Sequence, residues 1–194
     1  MNNEYPNIER LLRQRLRQDP DPAQDLIDKL SHIKHRAFFD KPEILQMCAW
    51  KSPRPRRLYD SNSDADIRKV SIRAFAAQCE VERVRLLTSL KGVGVPTASA
   101  ILTLTNPQDY GVIDIRVWQQ LYYYGEVVSR GSGVGLSVEN WLEYLQRLRF
   151  WARKFKVRAR DVEMILFEYH KESQEGTLYR TASDRKKVLT SKTE

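Results

Sequence analysis

Two closely spaced glycines, Gly92 and Gly94, and the later carboxylate Asp114 indicate a site for an anion and for acid–base chemistry. Apolar residues at three-residue steps predict a helix over about 81–90, and Gly92 ends it because glycine adopts left-handed backbone angles without steric cost. A second helix is expected to begin near Pro96, since proline fits a first helical turn. Backbone N–H groups at such a turn face outward with the helix dipole behind them, which suits a phosphate oxygen. An ordinary helix pair with a glycine turn is the alternative, and the Gly-x-Gly spacing favours the phosphate hypothesis.

The stretch from Leu90 to Ala98 resembles the helix-hairpin-helix motif of the base-excision DNA glycosylases of the endonuclease III and MutY-like superfamily. That family's pattern is Leu-Pro-Gly-Val-Gly-x-x-Thr-Ala, followed by a loop and a Val-Asp at the start of another helix. Here the pattern continues to Asp114, which follows Gly94 by 20 residues, similar to the distance at which the family places its catalytic aspartate. The motif-level similarity covers about residues 86–124, roughly a fifth of the chain.

The resemblance implies an all-α, two-lobed helical bundle that binds duplex DNA through its phosphate backbone. It also implies that the hairpin makes these contacts and that Asp114 is the catalytic residue. The residues expected to contact the DNA backbone at the hairpin are Lys91, Gly92, Val93, Gly94, Val95 and Thr97.

Two positions depart from the family's pattern. Bifunctional members carry a nucleophilic lysine two positions after the second glycine, where this sequence has Pro96. A Schiff-base mechanism needs that amine, so we expect no β-lyase activity. The family's proline before the first glycine is Lys91 here, which either adds a phosphate contact or is an ordinary exposed lysine at a helix end.

Asp114 has two compatible interpretations. Aspartate is a favoured N-cap, because its side chain accepts a hydrogen bond from the next turn of the helix. The resemblance adds a chemical role, since a carboxylate beside a flipped nucleoside can stabilise the positive charge that develops on the sugar and can activate a water. Trp118, Tyr110 and Tyr122 are the aromatic residues close enough in sequence to be candidates for the wall of a base pocket.

The composition favours an acidic partner. The 194 residues include 33 Lys and Arg against 25 Asp and Glu, a formal net charge of +8. This excess suits a polyanion, although a basic protein without a nucleic-acid role remains the alternative. No apolar run reaches the roughly eighteen residues of a membrane-spanning helix, and the polar N-terminus lacks the apolar segment of a signal peptide. We therefore expect a cytoplasmic protein, associated with the nucleoid if it binds DNA.

The sequence predicts no metal site and no other cofactor. Cys48 and Cys79 are the only cysteines, and both lie in helical patterns, so we expect two small buried hydrophobic residues. Many glycosylases of the resembled type hold a four-cysteine iron–sulfur cluster, whose ligands this chain lacks. His32 and His35 stand at i and i+3 on a predicted helix without a further ligand nearby, and both are expected at the surface.

The rest of the sequence predicts helices and no convincing strand. Besides the hairpin, helices are expected over about 7–18, 22–39, 42–50, 64–78, 114–124, 137–156 and 161–172. Residues 1–173 are expected to form one helical domain with the hairpin at about 81–105. Ser, Thr, Lys and Arg dominate 174–194, which predicts a basic, disordered tail.

The segment from Lys51 to Arg57 is a second candidate for contact with DNA. Its two prolines predict an extended chain, in which Arg54, Arg56 and Arg57 are free to lie along a phosphate backbone. A solvated linker explains the same composition equally well.

Two hypotheses follow from these observations. The leading one is a DNA-binding protein of the helix-hairpin-helix glycosylase superfamily that, if active, is a monofunctional N-glycosylase using Asp114 and water. The rival is a non-catalytic nucleic-acid-binding module of the same fold, which Pro96 and the missing cluster favour. A helical protein that binds no nucleic acid is disfavoured by the hairpin and the charge.

Overall fold

The computed structural model describes residues 4–16, 20–129, 131–174 and 178. These residues form α-helices joined by turns and irregular segments, with no strand among them, which confirms the predicted all-α class. The helices are α1 (Ile8–Arg15), α2 (Gln24–Leu30), α3 (His32–Arg36), α4 (Lys41–Lys51), α5 (Arg56–Asp60), α6 (Asp64–Ala76), α7 (Glu80–Thr88), α8 (Val95–Thr105), α9 (Ile115–Tyr123), α10 (Val138–Phe155) and α11 (Ala159–Ser173). The predicted tail lies outside the described residues except for Gln174 and Leu178, as does the predicted end of the first helix at Gln18.

Polar residues set the starts of four helices. Asn7, Ser63, Asp114 and Ser137 have extended backbone angles, and each side chain accepts a hydrogen bond from a backbone N–H two or three residues further on. These bonds satisfy amide groups that a first helical turn leaves without a partner. The helix starts predicted near residues 64, 114 and 137 are confirmed, because a cap is a local signal.

The helices pack around two central members. α8 contacts α2, α4 and α7, and all of its residues from Thr97 to Thr105 are buried. α11 contacts α1, α9 and α10, and the fully buried Trp118, Trp141 and Tyr144 fill the space on that side. α10 also contacts α7 and joins the two groups. Although α8 is apolar, it has only 11 residues, and no helix in the described part of the chain meets the length and hydropathy that crossing a membrane requires.

Three predictions about burial and helix length are wrong. The apolar residues of α6 predict that Ile72 faces the core together with Ile67, but Ile72 is 47% exposed, because α6 turns Ile67, Ser71 and Ala74 inward and leaves Ile72 on its outer face. Cys79 is exposed at the N-cap of α7, whereas Cys48 is buried as expected. The single helix predicted over 22–39 is divided into α2 and α3 at Ser31, whose hydroxyl donates to the Asp28 carbonyl at 2.8 Å and competes with the helical hydrogen bonds.

The segment from Lys51 to Arg57 is not an extended linker. Lys51 is the last residue of α4, and Arg56 begins α5 after a short turn. Pro55 takes the position before α5 with φ of −83°, where its missing N–H is not needed, and its carbonyl accepts from the Leu58 amide at 2.8 Å. The basic residues of this segment therefore stand on a folded turn and a short helix.

Candidate functional site

The glycine turn between α7 and α8 packs against α5. Gly92 has φ of +83°, in the left-handed region, and a Cβ there would lie 2.9 Å from both Leu58 Cβ and Tyr59 Cδ1. Gly94 has φ of −90°, and a Cβ there would meet nothing closer than Pro96 Cδ at 3.8 Å. Gly92 is thus required by the protein's own packing, whereas Gly94 leaves open space in front of the start of α8.

Asn62 fixes α5 to this turn. Its side-chain oxygen accepts from the Lys91 amide at 2.8 Å, and its side-chain nitrogen donates to the carbonyl oxygens of Lys91, Leu58 and Tyr59 at 3.0–3.1 Å. Asn62 is only 8% exposed, so these bonds form largely without competition from water. The basic segment before α5 and the hairpin are two separate candidates for contact with DNA in the sequence. The structure holds them side by side.

Three amides at the start of α8 have no hydrogen-bond acceptor within the described part of the chain, and of their residues Gly94 is exposed, Val95 is partly exposed and Thr97 is buried. Lys91 N–H is taken by Asn62, and Val93 N–H donates to the Leu90 carbonyl at 3.1 Å. Within the described ranges, the amides of Gly94, Val95 and Thr97 donate to no acceptor. The predicted donor group is thus narrower than the whole hairpin, because the turn uses part of its own hydrogen-bonding capacity.

Several cations next to the hairpin carry no counter-charge. Arg54, Arg57 and Lys91 are exposed and have no ion-pair partner among residues 4–16, 20–129 and 131–174. Arg56 lies 3.8 Å from Asp60 and its side chain is 81% exposed, so that contact is weak. By contrast, the basic helix α10 is largely neutralised. Its cations pair across helices, as in Arg147–Glu126, Arg149–Glu80 and Lys154–Glu9.

The segment that carries Asp114 is clamped from both sides. The Tyr144 hydroxyl donates to the Val112 carbonyl at 2.7 Å, and the Ile113 amide donates to Ser99 Oγ at 3.0 Å. At Gly111 a Cβ would lie 2.4 Å from Leu148 Cδ1 and 2.9 Å from Glu163 Cβ, so only glycine allows this approach. These contacts fix the backbone from which the Asp114 side chain projects.

Asp114 is held at both carboxylate oxygens. One oxygen accepts from the Arg116 amide at 3.0 Å as the N-cap of α9, and the other accepts from Lys51 Nζ at 2.8 Å. Burial on its own raises the pKa of the carboxyl, but the charge and hydrogen bond of Lys51, with the Arg116 amide, outweigh it and the pKa lies below its ordinary value. The carboxylate is therefore ionised at neutral pH, and the predicted cap is confirmed.

The Lys51–Asp114 pair stands where two cavities meet. The first, of about 310 Å³, lies between the end of α4 and α11, and we call it the α11 cavity. The second, of about 490 Å³, lies against the loop 133–136, and we call it the loop cavity; Arg54 and Pro96 also line it. Both volumes fall in the range of about 300–1,000 Å³ that small-molecule sites occupy. Asp114 therefore opens into space rather than being covered by side chains.

A buried ionic network closes the floor of the α11 cavity. Arg160 donates two hydrogen bonds to Asp21, each of 3.0 Å, and a third to Glu163. Burial raises the pKa of Glu163 even though the Arg160 guanidinium beside it acts in the opposite direction. Because these groups satisfy one another, they anchor the start of α11 to the segment before α2.

The aromatic residues of the cavities are not those expected from the sequence. Trp118 is fully buried, Tyr110 is 6% exposed, and Tyr122 packs on Gly131 while remaining 45% exposed. None of them lines either cavity. Trp50 and Phe167 line the α11 cavity instead, from positions 64 residues before and 53 residues after Asp114. No spacing in the sequence connects them with Asp114.

Arg116 and His170 form a further group near Asp114. Arg116 donates to Gln174, its guanidinium lies 3.3 Å from His170 Nδ1, and His170 Nε2 lies 2.9 Å from Gln119 Oε1. Burial, with the Arg116 charge, lowers the pKa of His170 to about 4. The imidazole is therefore neutral under ordinary conditions. The exposed His32 and His35 confirm the surface positions that we expected for them.

Together the fold and the site define an all-α protein in which a glycine turn with free amides lies beside an ionised carboxylate at the junction of two cavities. Across the described ranges, no group of three or more His, Cys, Asp or Glu side chains is placed to hold a metal ion. No family model, no curated protein and no solved structure matches the chain. The function is accordingly argued from the geometry of the site and the hairpin motif.

Proposed function

We propose that this chain binds duplex DNA through its phosphate backbone and acts as a monofunctional base-excision N-glycosylase that uses Asp114 and water. The observation that carries the proposal is the position of Asp114, an ionised carboxylate beside open space and next to the hairpin. The proposed architecture is the two-lobed helix-hairpin-helix bundle of the glycosylase superfamily. The division of contacts between an α8-centred and an α11-centred group of helices supports it.

The contact with DNA is proposed at the hairpin. The free amides of Gly94 and Val95 suit a phosphate oxygen, since an exposed helix start combines N–H donors with the positive end of the helix dipole, and the buried Thr97 adds an unpaired amide behind them. Arg54, Arg57 and Lys91 carry charge that no acidic side chain of the described residues neutralises. Binding of such groups to phosphates releases counterions, so the affinity should fall steeply as salt is raised.

Asp114 is proposed to act on the sugar of an extruded nucleotide. As the bond between the sugar C1′ and the base nitrogen breaks, its electron pair leaves with the base and positive charge develops on the sugar. The carboxylate of Asp114 stabilises that charge while a water adds to C1′, and the proton that the water loses passes to the base nitrogen, so that the base leaves as a neutral molecule. Lys51 keeps Asp114 ionised for this role. With Pro96 at the position of the family's lysine, we propose no β-lyase step.

The binding half of the proposal is tested by Gly94→Asp. Aspartate is a favoured N-cap and has room at this position, so the variant should fold, but its carboxylate occupies the phosphate site and repels phosphate. Cys79→Asp is the matched control, because it also places a carboxylate at an exposed N-cap. Cys79 stands at the start of α7, whereas the hairpin follows the end of α7. We expect Gly94→Asp to weaken binding of a labelled duplex by at least about tenfold at low salt. Equal effects of the two changes would refute the hairpin contact.

The catalytic half is tested by base release from a panel of damaged and mismatched duplexes, with wild type beside Asp114→Asn. Asparagine keeps a cap for α9 but removes the charge. Release that disappears in the variant while binding persists supports the glycosylase and identifies its substrate. Cleavage of the strand after release would contradict the absence of lyase chemistry and direct attention to the Lys51 amine.

A non-catalytic DNA-binding module of the same fold is the second candidate. One observation favours it: Asp114 already has two structural partners, the Arg116 amide and Lys51. A carboxylate that only caps α9 and pairs with Lys51 needs no further role. Intact, salt-sensitive binding without release from any duplex would establish this alternative.

A further inference from the structure

The hydroxyl of Ser99 joins two segments that the proposed function uses together. It donates a hydrogen bond to the Pro96 carbonyl at 2.8 Å and accepts one from the Ile113 amide at 3.0 Å. Pro96 lies in the first turn of α8, directly after the open amides of the hairpin, and Ile113 directly precedes Asp114. A single side chain thus connects the proposed phosphate contact with the carboxylate that is proposed to act on the sugar.

The connection through Ser99 lies where water does not reach. Ser99 and Ile113 are both fully buried, with 0% of their surface exposed. Hydrogen bonds in so dry an environment are stronger than bonds that compete with solvent. A buried amide that loses its acceptor costs free energy, and the chain around it shifts to recover a partner. The position of Asp114 relative to the hairpin therefore depends on the Ser99 hydroxyl.

Another buried hydroxyl on the same helix makes no such connection. Thr105 Oγ1 donates to the Ile101 carbonyl at 2.9 Å and to the Leu102 carbonyl at 3.2 Å, so these hydrogen bonds remain inside α8. Thr105 is the last residue of α8, at the opposite end from the hairpin, and is only 4% exposed. Since the two side chains are alike in type and burial but differ in what they connect, Thr105 is the control for Ser99.

We propose that Ser99 is a positioning residue for base release, and that its hydroxyl sets the distance between the hairpin, which holds the phosphate, and the Asp114 carboxylate. This inference rests on the proposed function and deepens it, because it assigns a part in the reaction to a side chain that is buried inside the protein. Displacement of a reacting group by about 1 Å can slow a reaction about a hundredfold. A change at Ser99 should accordingly lower the rate of base release more than the affinity for DNA, which the hairpin amides and the exposed cations provide.

The activity test compares full-length Ser99→Ala, Ser99→Thr and Thr105→Val with wild type on a duplex from which wild type releases a base. Single-turnover reactions over a range of protein concentrations give the maximum rate and the half-saturating concentration separately. For Ser99→Ala we expect the maximum rate to fall by about ten- to a hundredfold, while the affinity changes by less than about twofold. Ser99→Thr keeps a hydroxyl that can bond to the carbonyl one turn earlier, and it should recover most of the rate. Thr105→Val should match wild type in both properties.

Hydrogen exchange tests the connection without any reaction. In the free protein, loss of the acceptor in Ser99→Ala should speed exchange at the Ile113 amide by at least about tenfold relative to an amide inside α8, such as that of Leu104. The comparison of two amides in one chain removes the effect of a change in global stability. Thr105→Val should leave the ratio of the two exchange rates at its wild-type value.

A further variant covers the case in which Ser99→Ala does not fold. Ser99→Cys keeps a side chain of similar size, but a thiol is a weak donor and a weak acceptor. It should therefore also slow base release, by at least about tenfold, at unchanged affinity. A wild-type rate in Ser99→Cys would count equally against the proposal.

The outcomes separate this inference from the proposed function. If wild type releases a base and Ser99→Ala does so at the same rate, or if rate and affinity fall together, Ser99 is not a positioning residue and the proposed function stands. Unchanged exchange at Ile113 overturns the connection itself. Absence of release by wild type from every duplex overturns the glycosylase and the role of Ser99 with it. Loss of rate at unchanged affinity, restored in Ser99→Thr, supports both.

Discussion

Replacing Gly92 by alanine should destabilise the protein, whereas replacing Gly94 by serine should not. The two glycines are only two residues apart, and the sequence motif has glycine at both positions without distinguishing their roles. In the structure they have opposite requirements, since Gly92 has φ of +83° and Gly94 has φ of −90°. The comparison therefore tests whether the turn is left-handed and tightly packed at Gly92 and open at Gly94.

The magnitude follows from two costs at Gly92. Left-handed backbone angles cost an L-residue about 1–2 kcal/mol. The new Cβ would also lie 2.9 Å from both Leu58 Cβ and Tyr59 Cδ1, and such overpacking typically costs about 1–3 kcal/mol. The free energy of unfolding should fall by about 2–5 kcal/mol, which for a chain of this length lowers Tm by roughly 5–15 °C. At Gly94 a Cβ meets nothing within 3.4 Å, and serine is a slightly better N-cap than glycine.

Urea unfolding and thermal melting of the two variants and wild type provide the assay. The free energy of unfolding of Gly94→Ser should stay within about 0.5 kcal/mol of wild type. This variant is therefore the control, because it also replaces a glycine of the motif but at a position with room for a side chain. A Gly92→Ala protein as stable as wild type would show that the turn is not left-handed at this position, or that α5 does not pack against it. The result also decides which glycine is informative in DNA-binding assays, because loss of binding in an unfolded Gly92 variant says nothing about phosphate.

Three further changes have defined outcomes. Lys51→Met should lower the free energy of unfolding by about 1–3 kcal/mol at pH 7, which is less than the loss of a partner costs in a fully buried ion pair. The difference from wild type should shrink in acid, because the folded pKa of Asp114 lies below its ordinary value and protonation of Asp114 removes the ion pair in wild type as well. Urea titrations at several pH values measure both effects. The free energy of unfolding of wild type should fall by up to about 3 kcal/mol between pH 6.5 and about pH 4. The reason is that His170 binds a proton in the unfolded chain over this range, whereas burial lowers its pKa in the folded protein to about 4. His170→Gln should reduce this dependence on pH. Asn62→Ala should cost about 1–3 kcal/mol and accelerate hydrogen exchange at the Lys91 amide, which loses its acceptor.

Local signals account for what the sequence predicted correctly. The glycine turn, the proline at the start of α8 and the starts of α6, α9 and α10 each depend on residues within one or two turns of one another. Such features depend on backbone angles and on the amides of the first helical turn, which have no acceptor within the helix. A short stretch of sequence determines both. The all-α class follows from the same kind of information, since helical periodicity is local.

The contacts that surround Asp114 in the candidate site could not be predicted in this way. Lys51 lies 63 residues before Asp114, and the prolines after it suggested an extended linker rather than the end of a helix. Trp50 carried no signal, because a tryptophan beside basic residues is compatible with either a core or a surface position. The sequence around Gly111 gave no indication of its role either, because the close approach to Leu148 becomes visible only in the packed structure. These features depend on tertiary packing, which no spacing in one sequence encodes.

The structural and the chemical roles of Asp114 can coexist in one side chain. An ionised carboxylate has about four acceptor sites on its two oxygens, and the Arg116 amide and Lys51 each occupy one. Acceptor capacity therefore remains on both oxygens for a water or for the charge on a sugar, without loss of the cap or the ion pair. Asparagine in this position has one oxygen only, so it can cap α9 or accept from Lys51, and its amide nitrogen repels the other donor. The double variant Asp114→Asn with Lys51→Met removes this conflict, because the cap remains and the opposing ammonium is gone. If the double variant melts closer to wild type than Asp114→Asn alone, binds duplex DNA and releases no base, the loss of release belongs to the missing carboxylate charge and not to a damaged fold.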